Sequence, residues 1–300
     1  MEKTFKYQVF GLNIISEIEL PIPEKSFDTA QVEIRFGETP FTLGGEARRG
    51  VVYEALPNAV LIKVFDIARF HIVDGSAIIV QPLEKYDNKS AVAFIMGSVF
   101  ASLLYQRGIM PLHASALEYK GKIIVICGVS GAGKSTLALG LAKQGFRIIC
   151  DDIVPIYFQN GLPMASSGFN QSKIWKDTAA IMDISVEPLV KVREEIDKFY
   201  YEAENVLLTN EPLSVKHIFI LSATNKENLE TKNIEGKDKF LVLRNHLFRK
   251  QIAFSMGLEA RLFGSLAKLA ASVPVTKIER PTKGFSLEIP QNSILQILDL

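Results

Sequence analysis

Residues 128–135, Gly-Val-Ser-Gly-Ala-Gly-Lys-Ser, fit the spacing G-x-x-x-x-G-K-[ST]. The chemistry this spacing serves is the holding of a phosphate chain. Its glycines let consecutive backbone N–H groups converge on phosphate oxygens without interference from a Cβ. Lys134 adds a cation for the outer phosphates, and the Ser135 hydroxyl can ligate Mg2+. The flanks suit the motif. Residues 123–127 are a short apolar run, as a buried strand entering such a loop would be. Residues 136–143 leave it with helical spacing, and a helix starting there points the positive end of its dipole at the anion. Gly128, Val129, Ser130, Gly131, Ala132, Gly133, Lys134, Ser135 and Thr136 are therefore the expected nucleotide-binding residues, with a nucleoside triphosphate and Mg2+ as the expected ligands.

Two adjacent carboxylates, Asp151 and Asp152, follow the next apolar run. In a β-loop-α-β unit that strand returns beside the first, and its C-terminal end lies near the phosphates. One acid there can hold Mg2+ directly or through water, and the other can take a proton from an attacking hydroxyl. Neighbouring residues on a regular strand point to opposite faces, which allows such a division of labour. His113 lies in an expected strand over 111–118, between Leu112 and Ala114. Taken alone it reads as a hydrogen-bonded core histidine, and no motif stands behind His71, His217 or His246 either.

These groups need elements to position them. Residues 1–87 read as a β-rich accessory domain, with short branched and aromatic runs at 7–10, 13–15, 31–36 and 51–54 separated by Gly or Pro. Residues 59–70 and 76–81 suggest a hairpin across 73–75. The P-loop domain is expected over 88–300. It opens with a helix over 91–106, capped by residues 88–90 and ended by Gly108. Turns are expected at 119–122 and 159–161, and a strand interrupted by the two acids over 146–157. Residues 174–182 read as helix, 217–222 as strand, 225–239 as an exposed loop or hairpin, and 240–273 as largely helical. Residues 281–300 give only short fragments.

Composition narrows the class. The chain has 300 residues, 48% of them hydrophobic, and a formal net charge of +1, so a sizeable core is available and a general nucleic-acid or membrane-surface binder is not indicated. The longest apolar stretch, 91–105, contains Gly97, Ser98 and Ser102 and reads as a buried helix rather than a membrane span. The N-terminus lacks the apolar core of a secretion signal, so a cytoplasmic location is expected. Cys127 and Cys150, the two cysteines, read as small, reduced, buried residues.

The run Leu-His-Ala-Ser-Ala-Leu at 112–117, the glycine-rich loop and the Asp151–Asp152 pair together resemble the catalytic half of HPr kinase/phosphorylase, a bacterial enzyme that phosphorylates a seryl hydroxyl on a small carrier protein. The histidine lies 22 residues before Ser135 and the second aspartate 17 after it. The resemblance implies an α/β P-loop core akin to phosphoenolpyruvate carboxykinase. It implies Asp152 as general base, Lys134 as phosphate clamp, Ser135 as Mg2+ ligand, Asp151 as a metal or orienting partner, and His113 as a supporting catalytic residue. The specific match covers 111–157, and residues 7–21 and 168–175 are similar to HPr-kinase-like proteins linked to peptide tailoring, such as lasso-peptide phosphorylation. Where true HPr kinases carry a glycine-rich signature with an acidic Mg2+ ligand, this chain has Gln-Ser-Lys-Ile-Trp-Lys-Asp at 171–177. A basic residue for the transferred phosphate is expected from the C-terminal third, with Arg244, Arg249 and Lys250 as candidates. The sequence itself does not give the oligomeric state; the resemblance implies that a homo-oligomer could form through this domain.

The expected function is an ATP- and Mg2+-dependent kinase acting on an aliphatic hydroxyl, a serine in a peptide or protein, with a small-molecule acceptor as the nearest competitor. A nucleotide-binding regulatory module without transfer would need only the loop. A carboxykinase-like activity would need further metal-binding histidine and lysine positions.

Overall fold

The computed structural model describes residues 3–169, 171–193, 196–209, 211–282 and 287–299. The chain forms two compact units, one of residues 1–111 and 247–265, the other of 112–246 and 266–300. The boundary expected at residue 87 therefore lies at 111. The reason is packing: the helix over 88–106 puts Phe94 against Phe70 and Phe100 against Phe10 of the first unit, at ring distances of 6.3 and 5.7 Å. Gln106 seals the helix end by donating to the Ile72 carbonyl and accepting from the Gly75 amide.

The first unit is an eight-stranded sheet, from Phe5–Val9 at one edge to Arg48–Arg49 at the other. The expected hairpin across 73–75 is present, with Asp74 and Gly75 both at positive φ. The stretch 59–70 is two strands, Ala59–Val64 and Ala68–Val73, because the chain turns at Asp66 with φ 60°. Asp87 caps the helix by accepting from the Ser90 amide at 2.7 Å, one residue before the expected cap. Among the described residues, 88–106 are also the one helix long and apolar enough, by length and composition, to cross a membrane. Most of it is buried against this unit, and it contains a π-helical segment, Ile95–Val99, with Gly97 off helical geometry.

The second unit carries the P-loop. Strands run in the order Arg147–Cys150, Ala114–Tyr119, Lys122–Gly128, Leu213–Thr224, Val275–Pro281, Glu230–Ile234. Ala114–Tyr119 and Lys122–Gly128 pair antiparallel through a two-residue turn whose Lys120 and Gly121 have positive φ, as the expected turn there requires. Asn160 and Gly161 make the same kind of turn between Val154–Gln159 and Leu162–Ala165. The strand after the P-loop helix does not lie beside the P-loop strand as expected. It pairs antiparallel with Ala114–Tyr119, so it runs parallel to the P-loop strand with one strand between them.

Registers bring the ends of these strands to one edge. Ala114 faces Cys127, Ala116 faces Cys150, Leu221 faces Gly128, and Ile278 faces Leu221. His113, the loop after Gly128, the acids after Cys150 and Arg280 near the end of its strand thus gather at one rim. The P-loop helix, Lys134–Ala142, buries Leu137 and Leu141 with Ile124, Ile126 and Phe146 of the core. Helix Glu288–Ile297 packs so closely on it that a Cβ at Gly140 would stand 2.2 Å from Gln291 Nε2. Sequence patterning left that helix unassigned. Residues 174–182 are not one helix: Gln171–Trp175 is a strand, paired with Ile196–Glu202, and the helix is Lys176–Ile181. Within 225–239, Glu230–Ile234 is a strand and a helix starts at Gly236.

Candidate active site

The glycine-rich loop has the backbone that its spacing predicts. Gly131 and Gly133 have φ of 79° and 97°, a region closed to most side chains. A Cβ at Gly128 would meet the Leu221 carbonyl at 2.6 Å, so only glycine allows the loop to leave the sheet so close to the neighbouring strand. The helix begins at Lys134, with Gly133 as its cap. Its first amides are the donors an anion would satisfy.

Lys134 is buried, and its ammonium is folded onto the loop. It donates to the carbonyls of Gly128 at 2.9 Å and Val129 at 3.3 Å, and lies 3.3 Å from His113 Nε2. His113 stands just outside the strand Ala114–Tyr119, not within it as expected. Its Nδ1 lies 3.2 Å from the Asp152 carbonyl and 3.5 Å from the Asp152 carboxylate. These contacts fit a neutral ring with its proton on Nδ1, donating toward Asp152 while Nε2 accepts from Lys134. Burial, then the Lys134 charge, hold the His113 pKa below its ordinary value, and the two aspartates oppose them.

Asp151 and Asp152 follow the strand Arg147–Cys150 in a tight turn. Their separation of roles therefore comes from turn geometry and not from strand alternation. The Ile153 amide bonds back to the Asp151 carbonyl, with Asp152 between them at φ 75°. For a residue with a Cβ this conformation costs on the order of 1 kcal/mol or more, and such strain gathers at functional sites. The turn sends the two carboxylates to different partners. Asp151 accepts from buried Ser115 Oγ at 2.6 Å and from Ser135 Oγ at 3.2–3.3 Å. Asp152 faces His113 and forms a 2.6 Å ion pair with Lys173. Burial would raise the Asp152 pKa, but Lys173, Lys198 and His113 outweigh it and hold the carboxyl far below the ordinary carboxylate range. For Lys173 the same pair works in reverse: burial lowers its pKa, Asp152 more than compensates, and it stays above its usual value.

The cleft so formed has a volume of about 170 Å3. Ser135 and Asp151 fit the protein share of a nucleotide-bound Mg2+ site, one hydroxyl and one carboxylate, with phosphate oxygens and water completing the shell. Among the described residues, no group of three or more His, Cys, Asp or Glu side chains could hold a metal without such help. Three cations that sequence reasoning missed also line the cleft: Lys173, Lys198 and Arg280. Arg280 Nε donates to the Ala132 carbonyl at 2.9 Å. Arg280 comes from the C-terminal third, but Arg244, Arg249 and Lys250 are not among the lining residues, and the last two belong to the other compact unit. What places Arg280 there is the parallel register of Val275–Pro281 two strands from the P-loop strand, a long-range pairing with no local signal.

His217 has structural surroundings. His217 Nε2 bonds to Thr276 Oγ1 at 2.9 Å, and its ring stacks on Phe219; burial, then Lys216 and Lys239, lower its pKa to about 4. Cys127 and Cys150 are free and buried, and burial pushes the Cys127 thiol up to about 12.

Fold and site define a P-loop protein of the α/β class, with a carboxylate pair and a histidine at the phosphate-binding rim. No family model matches the sequence. An HPr kinase/phosphorylase of Treponema pallidum is 35% identical over 78 residues, covering 26% of this chain and 23% of that protein. One of Pediococcus pentosaceus is 49% identical over 49 residues, 16% of each. Over these segments the chain is similar to the HPr kinase/phosphorylases, and it spans less than a quarter of the length of these relatives. A solved structure, the Hpr(Ser) kinase/phosphatase from Coxiella burnetii, superposes with a TM-score of 0.34 and 14% identity, over 63% of this chain and 90% of that one. That likeness is too loose to bear on fold or function.

Proposed function

We propose that this chain is an ATP- and Mg2+-dependent phosphotransferase that moves the γ-phosphoryl group to a hydroxyl, a serine of a peptide or protein. The observation that carries the reading is the connected cluster at the loop's mouth: Lys134 at 3.3 Å from His113, His113 at 3.5 Å from the Asp152 carboxylate, and Ser135 beside Asp151. Simple nucleotide binding needs only the loop. It gives no role to a strained aspartate aimed at a histidine.

In this reading the loop amides and Lys134 hold the phosphate chain, and Lys134 exchanges its contacts with Gly128 and Val129 for phosphate oxygens. Ser135 and Asp151 would hold Mg2+, which would supply charge neutralisation for the phosphate chain. Asp152 orients the acceptor hydroxyl and receives its proton as the new O–P bond forms and the bond to the leaving nucleoside diphosphate breaks. A carboxylate with so depressed a pKa is a weak base. It suffices where the transition state is loose and little charge must develop on the attacking oxygen before transfer. His113 fixes the Asp152 turn through its Nδ1–H. Arg280, on the Ala132 carbonyl, adds positive charge where phosphoryl charge accumulates. The same reading makes the protein a cytoplasmic enzyme working as a homo-oligomer.

The test is incubation of the purified chain with γ-labelled ATP, Mg2+ and two acceptor pools, serine-containing peptides and small hydroxyl metabolites. Label should pass to the peptide pool, and Asp152→Asn should bind ATP but transfer at least about 100-fold more slowly. Transfer to the metabolite pool alone would reassign the acceptor. Near-normal transfer by Asp152→Asn would remove the base assignment.

A further inference from the structure

We infer that Trp175, with Ile181, forms the clasp for the nucleobase, so that the cleft binds its donor by the base as well as by the phosphates. This rests on the nucleotide reading and adds to it a site for the base. The strand Gln171–Trp175 runs along the cleft. Ile174 points into the core, so Lys173 and Trp175, two residues apart on one strand, share the opposite face. Lys173 marks the γ-phosphate end, because its ammonium is on Asp152. Trp175 stands about 7 Å further along the same face. The direction away from Asp152 is also that of the inner phosphates and the nucleoside. In a P-loop the lysine reaches the outer phosphates, and the inner ones lie on the backbone amides. Thr136, the next residue but one after Lys134, is hydrogen-bonded at 3.1 Å to Thr178. Thr178 belongs to the short helix Lys176–Ile181 that follows Trp175 directly.

At this far end two apolar side chains join Lys198 in the lining. Trp175 and Ile181 are 41% and 60% exposed, and both line the cleft. Lys198, opposite Trp175 in the strand register, holds its ammonium 5.5 Å from the indole centroid. The cation steadies one side of the ring and leaves the exposed remainder to the cleft. A flat, polarisable, aromatic group is what such a surface takes, and the base is that part of a nucleoside triphosphate. The acceptor hydroxyl, by contrast, must reach Asp152 at the other end.

The experiment compares Mg·ATP with Mg·tripolyphosphate, which has the phosphates but no base, by calorimetric titration of the full chain. In Trp175→Ala the ATP dissociation constant should rise about 5- to 100-fold, the range for loss of one base-stacking aromatic, while tripolyphosphate binding stays within about twofold. Trp175→Phe should recover most of the loss. Trp175 is the only tryptophan, so wild-type fluorescence gives a reading that needs no variant: ATP should quench it and tripolyphosphate should not. Equal loss for both ligands, an unchanged ATP constant, or an effect confined to the acceptor KM would overturn the base clasp and leave the P-loop reading intact. If wild type bound neither ligand, the nucleotide reading would fail first and take the clasp with it.

Discussion

Replacing Lys173 by methionine removes the charge that faces Asp152 while keeping a side chain of similar length. The two groups lie 2.6 Å apart, with side chains 18% and 28% exposed. At that distance Coulomb attraction falls between about 1.6 kcal/mol in water and about 6 kcal/mol at the effective dielectric of a partly buried site. Lost hydration cancels part of it. Exposed pairs contribute about 0.5 kcal/mol and breaking buried ones costs about 3–5, so a loss near 2–3 kcal/mol at pH 7 is expected. Urea unfolding followed by Trp175 fluorescence reports on this unit, and a double cycle with Asp152→Asn isolates the pair. The pH dependence has a definite sign. The Asp152 carboxyl is depressed below its ordinary 3.8, so its stabilisation is complete above that value and is lost as pH falls toward the folded one. The gap between wild type and Lys173→Met should be level from about pH 8 to 5 and narrow below, as the variant's unpaired Asp152 takes up a proton. The Lys173 pKa is raised above 10.5, so its contribution is full below that value and lost as pH rises through the folded one. A coupling under about 0.5 kcal/mol at neutral pH, or a gap that widens in acid, would refute the pairing.

Other perturbations give equally definite readings. Glu54 accepts from Lys63, Thr42 and the Leu43 amide, and these bonds, led by Lys63, bring its pKa from 4.5 to about 2 against the effect of burial. Glu54→Gln should therefore destabilise the β-rich unit by about 1–3 kcal/mol above pH 4.5, with the difference fading as pH falls toward 2, measured by circular dichroism melts. Gly140→Ala should lower the melting temperature despite alanine's better helix propensity of about 1 kcal/mol, because the new methyl meets Gln291 and Leu287 at 2.2 and 2.7 Å. Gln291 is also tied to Gln144, so it does not simply swing aside. Arg280→Ala should weaken Mg·ATP binding about 10-fold, with Arg280→Lys intermediate, as expected for one charge-assisted phosphate contact; unchanged affinity would remove Arg280 from the phosphate site.

What the sequence disclosed follows from which interactions are local. The loop was legible because glycine at positive φ and a lysine at fixed spacing are local requirements, and the two-residue turns at 120–121 and 160–161 were legible for the same reason. Asp151, Asp152 and His113 were legible as candidates by order and spacing, but their partners were not. Lys173 meets Asp152 only because the strand at 171–175 crosses the rim, and the helical spacing of 174–182 hid that strand: Ile174 and Ala179 are both buried, a pattern either element produces. Arg280 depends on a parallel pairing between residues far apart in the chain, and Val275–Pro281 offers no alternation strong enough to announce it. The domain edge failed on the helix at 88–106, whose apolar faces say that it is buried but not against which sheet. In the Glu230–Ile234 strand the burial is slight and the side chains polar, so the segment reads as a loop or a local hairpin, whereas its partner is the distant Val275–Pro281.

The central claim is that the glycine-rich turn and Lys134 grip a magnesium-bound triphosphate next to Asp152. Calorimetric titration of Mg·ATP into wild type, Lys134→Ala and Asp152→Asn tests it most directly. Saturable one-to-one binding by wild type and Asp152→Asn, with at least about 30-fold weaker binding by Lys134→Ala, is the predicted result. No binding by wild type, or an equal affinity in Lys134→Ala, would contradict it.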